Sequence, residues 1–283
     1  MTTVLEGPGN ALTRVVAFDR PIDLRFVLGP LVRGAGDPTM RVSSTAAIRA
    51  SVTPDGPAAI EIRVAGAGVN ARAWGPGADH LLQGLPALLG LDDDDTGFEP
   101  ARHPVVAALA RRRGRVVLGR TGGVWEALLP AMLEQRITGT EAWRNYRRLV
   151  RAHGAPAPGP LALWLAPAPA TIAGLASWQV TALGIEPRRG ALLRRIAREA
   201  PRYEALGDPD AVSVGDAHLS NVVTFALTGR PRGSDEEMLG LLAPWSGHRA
   251  RVVRLLETSG IGPPRFGPRV APRDLVRDLT PRR

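Results

Sequence analysis

Cysteine and lysine are both missing from the 283-residue sequence, so all 36 basic residues are arginine. Without thiols there are no disulfides, iron–sulfur clusters or thiolate zinc sites, and a reducing compartment, the cytoplasm, is the expectation. Without a side-chain amine, covalent catalysis through a lysine Schiff base is excluded. The abundance of Ala, Gly, Pro and Arg is what a GC-rich coding sequence produces, so the arginine bias by itself assigns no function. No apolar run reaches membrane-spanning length, and the stretch from Met1 to Leu12 lacks the basic start and apolar core of a signal peptide. No Gly-x-Gly-x-x-Gly or Gly-x-x-x-x-Gly-Lys loop occurs, so no nucleotide cofactor is expected. The histidines (His80, His103, His153, His218, His248) are scattered, and Asp216 and His218 point apart at i, i+2 on a helix, so no metal is expected. His218 reads as structural.

What is present divides at about residue 100. Residues 1–100 carry a net charge of −4 and residues 101–283 a net of +13. Clustered positive charge attracts a polyanion, and arginine adds forked hydrogen bonds to phosphate; a well-solvated basic surface accounts for the same count. The hydrophobic pattern changes at the same place. Alternation predicts strands at Arg14–Phe18, Ile48–Val52, Ala58–Val64 and Val69–Trp74, the last two joined as a hairpin through residues 65–68. Asp23–Arg33 and Gly77–Leu89 have helical spacing. The acidic run Asp92–Asp95 reads as a solvated connector. Beyond it the period is 3.6, with helical faces at Val124–Leu133, Trp143–Val150, Leu192–Ala197 and Leu219–Leu227. A capping box starts a helix at Ser234, and His248–Thr258 runs to a stop at Gly260. The expected class is α+β: a small mixed α/β sheet domain over 1–98, then an all-helical domain over 99–283.

The stretch with most chemistry is 208–221, where an apolar loop leads to Gly215 and Asp216 stands at a helix start. Plain N-capping is the commonest reason for an aspartate there. The same geometry holds a carboxylate in the positive field of a helix N-terminus while its outer oxygen faces a substrate.

Val214-Gly215-Asp216-Ala217-His218-Leu219, then Ala226-Leu227-Thr228-Gly229, Pro231-Arg232-Gly233-Ser234-Asp235, Pro244-Trp245 and Gly247-His248-Arg249, resemble the end of the catalytic domain of helix-hairpin-helix DNA glycosylases. The branch they resemble most is the 3-methyladenine DNA glycosylase II type. Leu133-Glu134-Gln135-Arg136-Ile137-Thr138-Gly139 is similar to the turn that this branch presents to DNA, and residues before 100 resemble its N-terminal domain. The resemblance implies base flipping on double-stranded DNA and hydrolysis of the N-glycosidic bond of alkylated purines, with no cofactor. It places the catalytic role on Asp216, whose carboxylate would stabilise an oxocarbenium-like sugar and help deprotonate water. An alkylated purine is already cationic and leaves without a strong general acid, which suits a site with one carboxylate candidate. The missing lysine argues separately for hydrolysis without a strand-nicking lyase step.

By the same resemblance Gln135 and Arg136 would fill the gap left by the flipped base; an exposed arginine at a helix end is the plain alternative. Trp125, Trp178 and Phe225 are candidates for a base pocket, with Trp164 considered beside them, although aromatics at helical spacing are more often core. One departure stands out. The family carries a Leu-Pro-Gly-Val-Gly-like hairpin about 20–25 residues before its aspartate, whose N–H groups hold a DNA phosphate. Residues 191–206 contain no Gly-x-Gly, so the hairpin is expected to be lost. Arg188, Arg189, Arg194, Arg195, Arg198 and Arg202 cluster there, and Arg194 and Arg195 are the candidates to replace its contacts. A relative that binds DNA without turnover and a free-nucleoside hydrolase are the alternatives; the expected molecule is a cytoplasmic, nucleoid-associated monomer.

Overall fold

In the computed structural model the described residues are 5–7, 11–18, 22–135, 137–203, 210, 212, 214–216 and 218–264. Strands β1 (Leu5–Gly7), β2 (Ala11–Ala17), β3 (Met40–Val42), β4 (Ala46–Thr53), β5 (Gly56–Ala65) and β6 (Gly68–Trp74) form one antiparallel sheet in the order β1-β2-β6-β5-β4-β3. The predicted hairpin is β5–β6, closing on the pair Ala65 and Gly68, with Gly66 at φ +56°. Gly68 itself is demanded by crowding: a Cβ there would lie 2.4 Å from the Val16 carbonyl oxygen.

Helices α1 (Leu24–Leu28), α2 (Ala78–Gln83) and α3 (Leu85–Leu88) bury Leu24, Leu28, Leu82 and Leu85 with Ile60 and Ile62 of the sheet in a single core. Each such side chain contributes about 1.5–3 kcal/mol over an exposed one. Asp23 caps α1, accepting from the Arg25 and Phe26 N–H groups, and a 3-10 turn over Gly29–Leu31 follows. β1 and the short β3 are strands that sequence alternation does not reveal, because three residues are too few to establish a period.

The second half contains α4 (Pro104–Arg113), α5 (Val124–Glu134), α6 (Gly139–His153), α7 (Pro169–Gly174), α8 (Ser177–Ala182), α9 (Pro187–Tyr203), α10 (Leu219–Thr228), α11 (Asp235–Leu242) and α12 (Arg249–Ser259). They enclose two cores. One gathers Leu129, Leu133, Leu149, Ile172, Ile185 and Leu193 from α5 to α9; the other gathers Val106, Val223, Met238, Leu242, Val252 and Leu256 from α4 and α10 to α12. Ser234 caps α11 through the Glu237 N–H at 3.1 Å, and Gly260 stops α12 in the left-handed conformation, as the sequence predicts. A two-residue ladder, β7 (Ala155–Pro156) with β8 (Trp164–Leu165), interrupts the helices. Leu163 and Leu165 pack there on Ala50 of β4, so this ladder fastens the helical half to the sheet.

The acidic run is not a solvated connector, and this corrects the sequence reading. Asp93 accepts from both terminal nitrogens of Arg251, a residue only 2% exposed, and from the Leu118 N–H at 3.0 Å. Arg251 also donates to the Val116 carbonyl, and Asp95 pairs with Arg115. A buried guanidinium needs such a set of acceptors, and the run supplies it. Among the described residues, no helix is long and apolar enough to cross a membrane.

Candidate active site

Asp216 sits immediately ahead of α10 and is exposed. Its Oδ1 accepts from the backbone N–H of His218 at 2.7 Å and of Leu219 at 2.8 Å, satisfying two of the donors that a helix start leaves unpaired. Gly215 before it has φ +85°, and its N–H donates to Asp235 at the start of α11, 2.8 Å away. The loop is therefore pinned on both sides of the aspartate. Among the described residues, capping uses Oδ1 alone. The N-cap and functional readings of Asp216 are thus compatible.

The carboxylate opens onto a cleft of about 660 Å³ whose lining includes Arg25, Pro30, Val32, Arg33 and Gly34 from the sheet half, Glu134, Ile137, Gly139 and Trp143 from the α5–α6 turn, and Asp216 with His218. Two segments singled out from sequence, the turn at 133–139 and the helix start at Asp216, lie some eighty residues apart in the chain and meet in this cleft.

Glu134, the last residue of α5, is a second carboxylate in the cleft. Burial pushes its carboxyl above the usual carboxylate range, against the opposing pull of Arg33 and of a hydrogen bond from Trp143, and the nearby Asp216 charge adds to the rise. Arg33 approaches it to 3.6 Å. Trp143, 36% exposed, leaves the apolar face of α6 to which its spacing assigns it and turns to the cleft. Its ring lies against Gly34: a Cβ built on that glycine, at φ +78°, would stand 2.6 Å from the ring. Sequence reasoning passed over both residues. The available signal was an acidic residue closing the apolar run Met132-Leu133 beside the turn.

The aromatic candidates lie elsewhere. Trp125 is core, with its indole N–H donating to the Pro167 carbonyl at 2.9 Å; Trp178 is 72% exposed on α8; Phe225 is half-buried on α10. None of the three lines the cleft that holds Asp216. Each sits where its own helix face directs it, and that face is turned to a core or to solvent. Trp164 is covered by the Arg151 guanidinium, 4.9 Å from its ring centre. Gln135 is exposed at the end of α5, its carbonyl accepting from Arg189, and Arg136 lies outside the described residues. Arg195 is exposed on α9, whereas Arg194 reaches across to the Ser177 hydroxyl at 2.7 Å and is partly occupied in joining α9 to α8. The role proposed for Arg202 concerns a side chain outside the described set.

α8 and α9 are joined by a short turn, residues 183–186, in which Gly184 takes φ +89°. The fully buried Asn145 of α6 donates to the Gly184 carbonyl at 3.2 Å. Gly190 lets the two helices close, since a Cβ there would come within 2.9 Å of Val180. Residues 191–203, most of the interval in which the hairpin is sought, are part of α9.

A sheet-bearing half and a helical half, with an aspartate at a helix start facing a cleft, make up a fold that solved DNA glycosylase structures share. Among solved structures the chain is similar to a 3-methyladenine DNA glycosylase from Archaeoglobus fulgidus, with a TM-score of 0.66 and 15% identity over 87% of this chain and 97% of that one. It is also similar to MBOgg1 in complex with a low-affinity DNA ligand (TM-score 0.64, 11% identity, 92% and 99% covered). A third is the 8-oxoguanine glycosylase/lyase of Clostridium acetobutylicum in complex with double-stranded DNA, at TM-score 0.62 and 11% identity over 92% and 97%. No family model and no curated protein matches the sequence.

Proposed function

We propose that this chain is a monofunctional DNA glycosylase that excises alkylated purines from double-stranded DNA, with Asp216 as the catalytic carboxylate. The observation that carries the reading is Asp216 itself: exposed, held by one oxygen at a helix start, and facing an open cleft shared with the α5–α6 turn. The cleft volume is within the range of small-molecule sites, about 300–1,000 Å³. A flipped nucleotide placed there would meet Trp143 as a stacking surface and Arg33 as a cation at the rim.

As the bond from C1′ to the base nitrogen breaks, its electron pair leaves with the base and positive charge develops on the sugar. A carboxylate already fixed in place stabilises that charge without reorganising and accepts a proton from the water that adds to C1′. With no lysine in the chain, no covalent Schiff-base step competes with hydrolysis. The fold of the neighbours and the positive charge of residues 101–283 support DNA as the partner. The test is base release from methylated duplex DNA by wild type and by Asp216→Asn. Release by wild type that the variant loses is the expected result; binding with no release by either protein overturns the enzymatic reading in favour of a DNA-binding relative.

A further inference from the structure

α6 carries a line of side chains that begins in the cleft and leaves it. Trp143, Arg147 and Arg151 stand at i, i+4 and i+8 and so share one face of the helix, about 12 Å from end to end. Trp143 is at once the first of them and part of the cleft wall. Arg147 lies along the exposed Gly36: a Cβ built on that glycine would stand 3.0 Å from the arginine Cδ and 3.1 Å from its Nη1. Arg151 is exposed and lays its guanidinium over the ring of the half-buried Trp164. The backbone N–H of Trp164 donates to the Pro38 carbonyl at 2.9 Å, which ties β8 to the same loop. Among the described residues neither guanidinium pairs with a carboxylate. The loop beside the line is built from Gly34, Ala35 and Gly36, which raise no side chain large enough to close it over.

Two aromatic rings with two uncommitted cations between them are a poor match to paired DNA. A duplex presents phosphates but keeps its base faces stacked inside. An unpaired strand offers phosphates to the arginines and base faces to the rings and to the flat guanidinium. The span of about 12 Å is the rise of about three to four nucleotides. We infer that this face of α6 binds the unpaired strand flanking the target nucleotide, so that the chain prefers a lesion at the border of duplex and single strand to one in continuous duplex. This deepens the proposed function and rests on it for the nucleotide in the cleft.

A packing account of the same residues makes a different prediction. If Arg147 only fills the space over Gly36, and Arg151 only shields Trp164 from water, their removal changes stability and leaves the preference between DNA forms untouched.

The experiment compares a blunt duplex with the same sequence cut back so that about six nucleotides of the lesion strand are unpaired, on its 5′ side in one DNA and its 3′ side in another, a length that exceeds the line on α6. Undamaged labelled copies serve for fluorescence-anisotropy titrations over a salt series, and copies carrying 7-methylguanine serve for single-turnover base release. Wild type, Arg147→Ala and the pair Arg147→Ala with Arg151→Ala are compared, with thermal melting to show that each is folded. Wild type is expected to bind one tailed form about tenfold tighter than the blunt duplex, about the worth of stacking one base, and to release its base faster at subsaturating enzyme. The paired substitution is expected to cancel that preference and to lower the slope of log affinity against log salt on the tailed form by about 1.4, two single-strand phosphates at about 0.7 each. Arg147→Ala alone leaves Trp164 covered and is expected to lower the slope by about half as much; it decides the matter if the paired variant does not fold. Equal binding of all three DNAs by wild type, or losses in the variants as large on the blunt duplex as on the tailed form, overturn the inference. Base release from the blunt duplex in that case leaves the proposed function standing. A tail preference without base release from any form overturns the proposed function and keeps the α6 face as the surface of a DNA-binding relative.

Discussion

The start of α10 and the end of α5 place the same chemical group in one cleft under contrary physical conditions. At the helix start, two backbone N–H groups hold one oxygen of Asp216, and the residue is exposed. At the helix end, Glu134 is half-buried beside Trp143 and Arg33, and burial outweighs the pull of the arginine. Burial thus raises the one carboxyl, while backbone N–H groups fix the other in place. The same contrast explains why one of the two was found by reading the chain and the other was not.

The largest effect expected is on bond cleavage. Asp216→Asn keeps the shape and a capping oxygen but removes the charge, and losing one such transition-state contact costs about 100- to 1,000-fold in rate. Single-turnover release of 7-methylguanine measures it. A loss below about tenfold would mean that the two helix ends do not differ as described, since one kcal/mol-scale effect is all that a displaced cap accounts for.

A third carboxylate gives the control. Asp93 pairs with the buried Arg251 far from the cleft lining. Asp93→Ala leaves that guanidinium buried without its partner, and the expected cost is about 3–5 kcal/mol of stability, read by denaturant unfolding. If Asp216→Asn costs comparable stability, Asp216 is a structural cap like Asp93 is a structural anchor, and the catalytic reading weakens.

Intermediate effects fall on pH dependence. Arg33 lowers the Glu134 carboxyl more than the Trp143 hydrogen bond does, so removing either raises it further, and Arg33 the more. The Glu134 carboxyl is expected to move upward in Trp143→Phe and further upward in Arg33→Met, read by NMR titration of its carboxyl carbon. A reversed order would contradict the arrangement. Stability carries the same sign. A carboxyl raised above its unfolded value binds its proton more tightly when folded, so wild type loses stability as pH rises from the unfolded value through the folded one. Glu134→Gln is expected to gain relative to wild type across that window and to show no gain below it, by thermal melting.

These contrasts bear on how far the chain can be read unaided. The strands β2, β4, β5 and β6 follow from two-residue alternation, and the helical half from the 3.6 period, because both signals are local. Asp216 is legible for the same reason: Gly215, the aspartate and the apolar run of α10 are contiguous. Glu134 is different, since its character comes from Arg33, about one hundred residues away, and from the turn of Trp143 out of the α6 face. Trp125 looks like a pocket aromatic by composition, yet the Pro167 carbonyl satisfies its indole within the core. The α8–α9 turn gives little signal in the sequence, since its support arrives from Asn145 on another helix.

The smallest predicted effect tests that turn and the helix behind it. Arg195 and Arg198 are exposed on α9, while Arg194 is engaged with Ser177, so the three do not contribute alike to phosphate attraction. Each phosphate contact removed lowers the slope of log affinity against log salt by about one. Arg195→Ala combined with Arg198→Ala is therefore expected to reduce the slope by up to about two, equally on damaged and undamaged duplex, in fluorescence-anisotropy titrations. Arg194→Ala is expected to change the slope less and to lower the melting temperature, because it severs a link between α8 and α9. Equal slope changes from all three would assign Arg194 to the DNA surface, whereas no change from any would move the phosphate track away from α9 altogether.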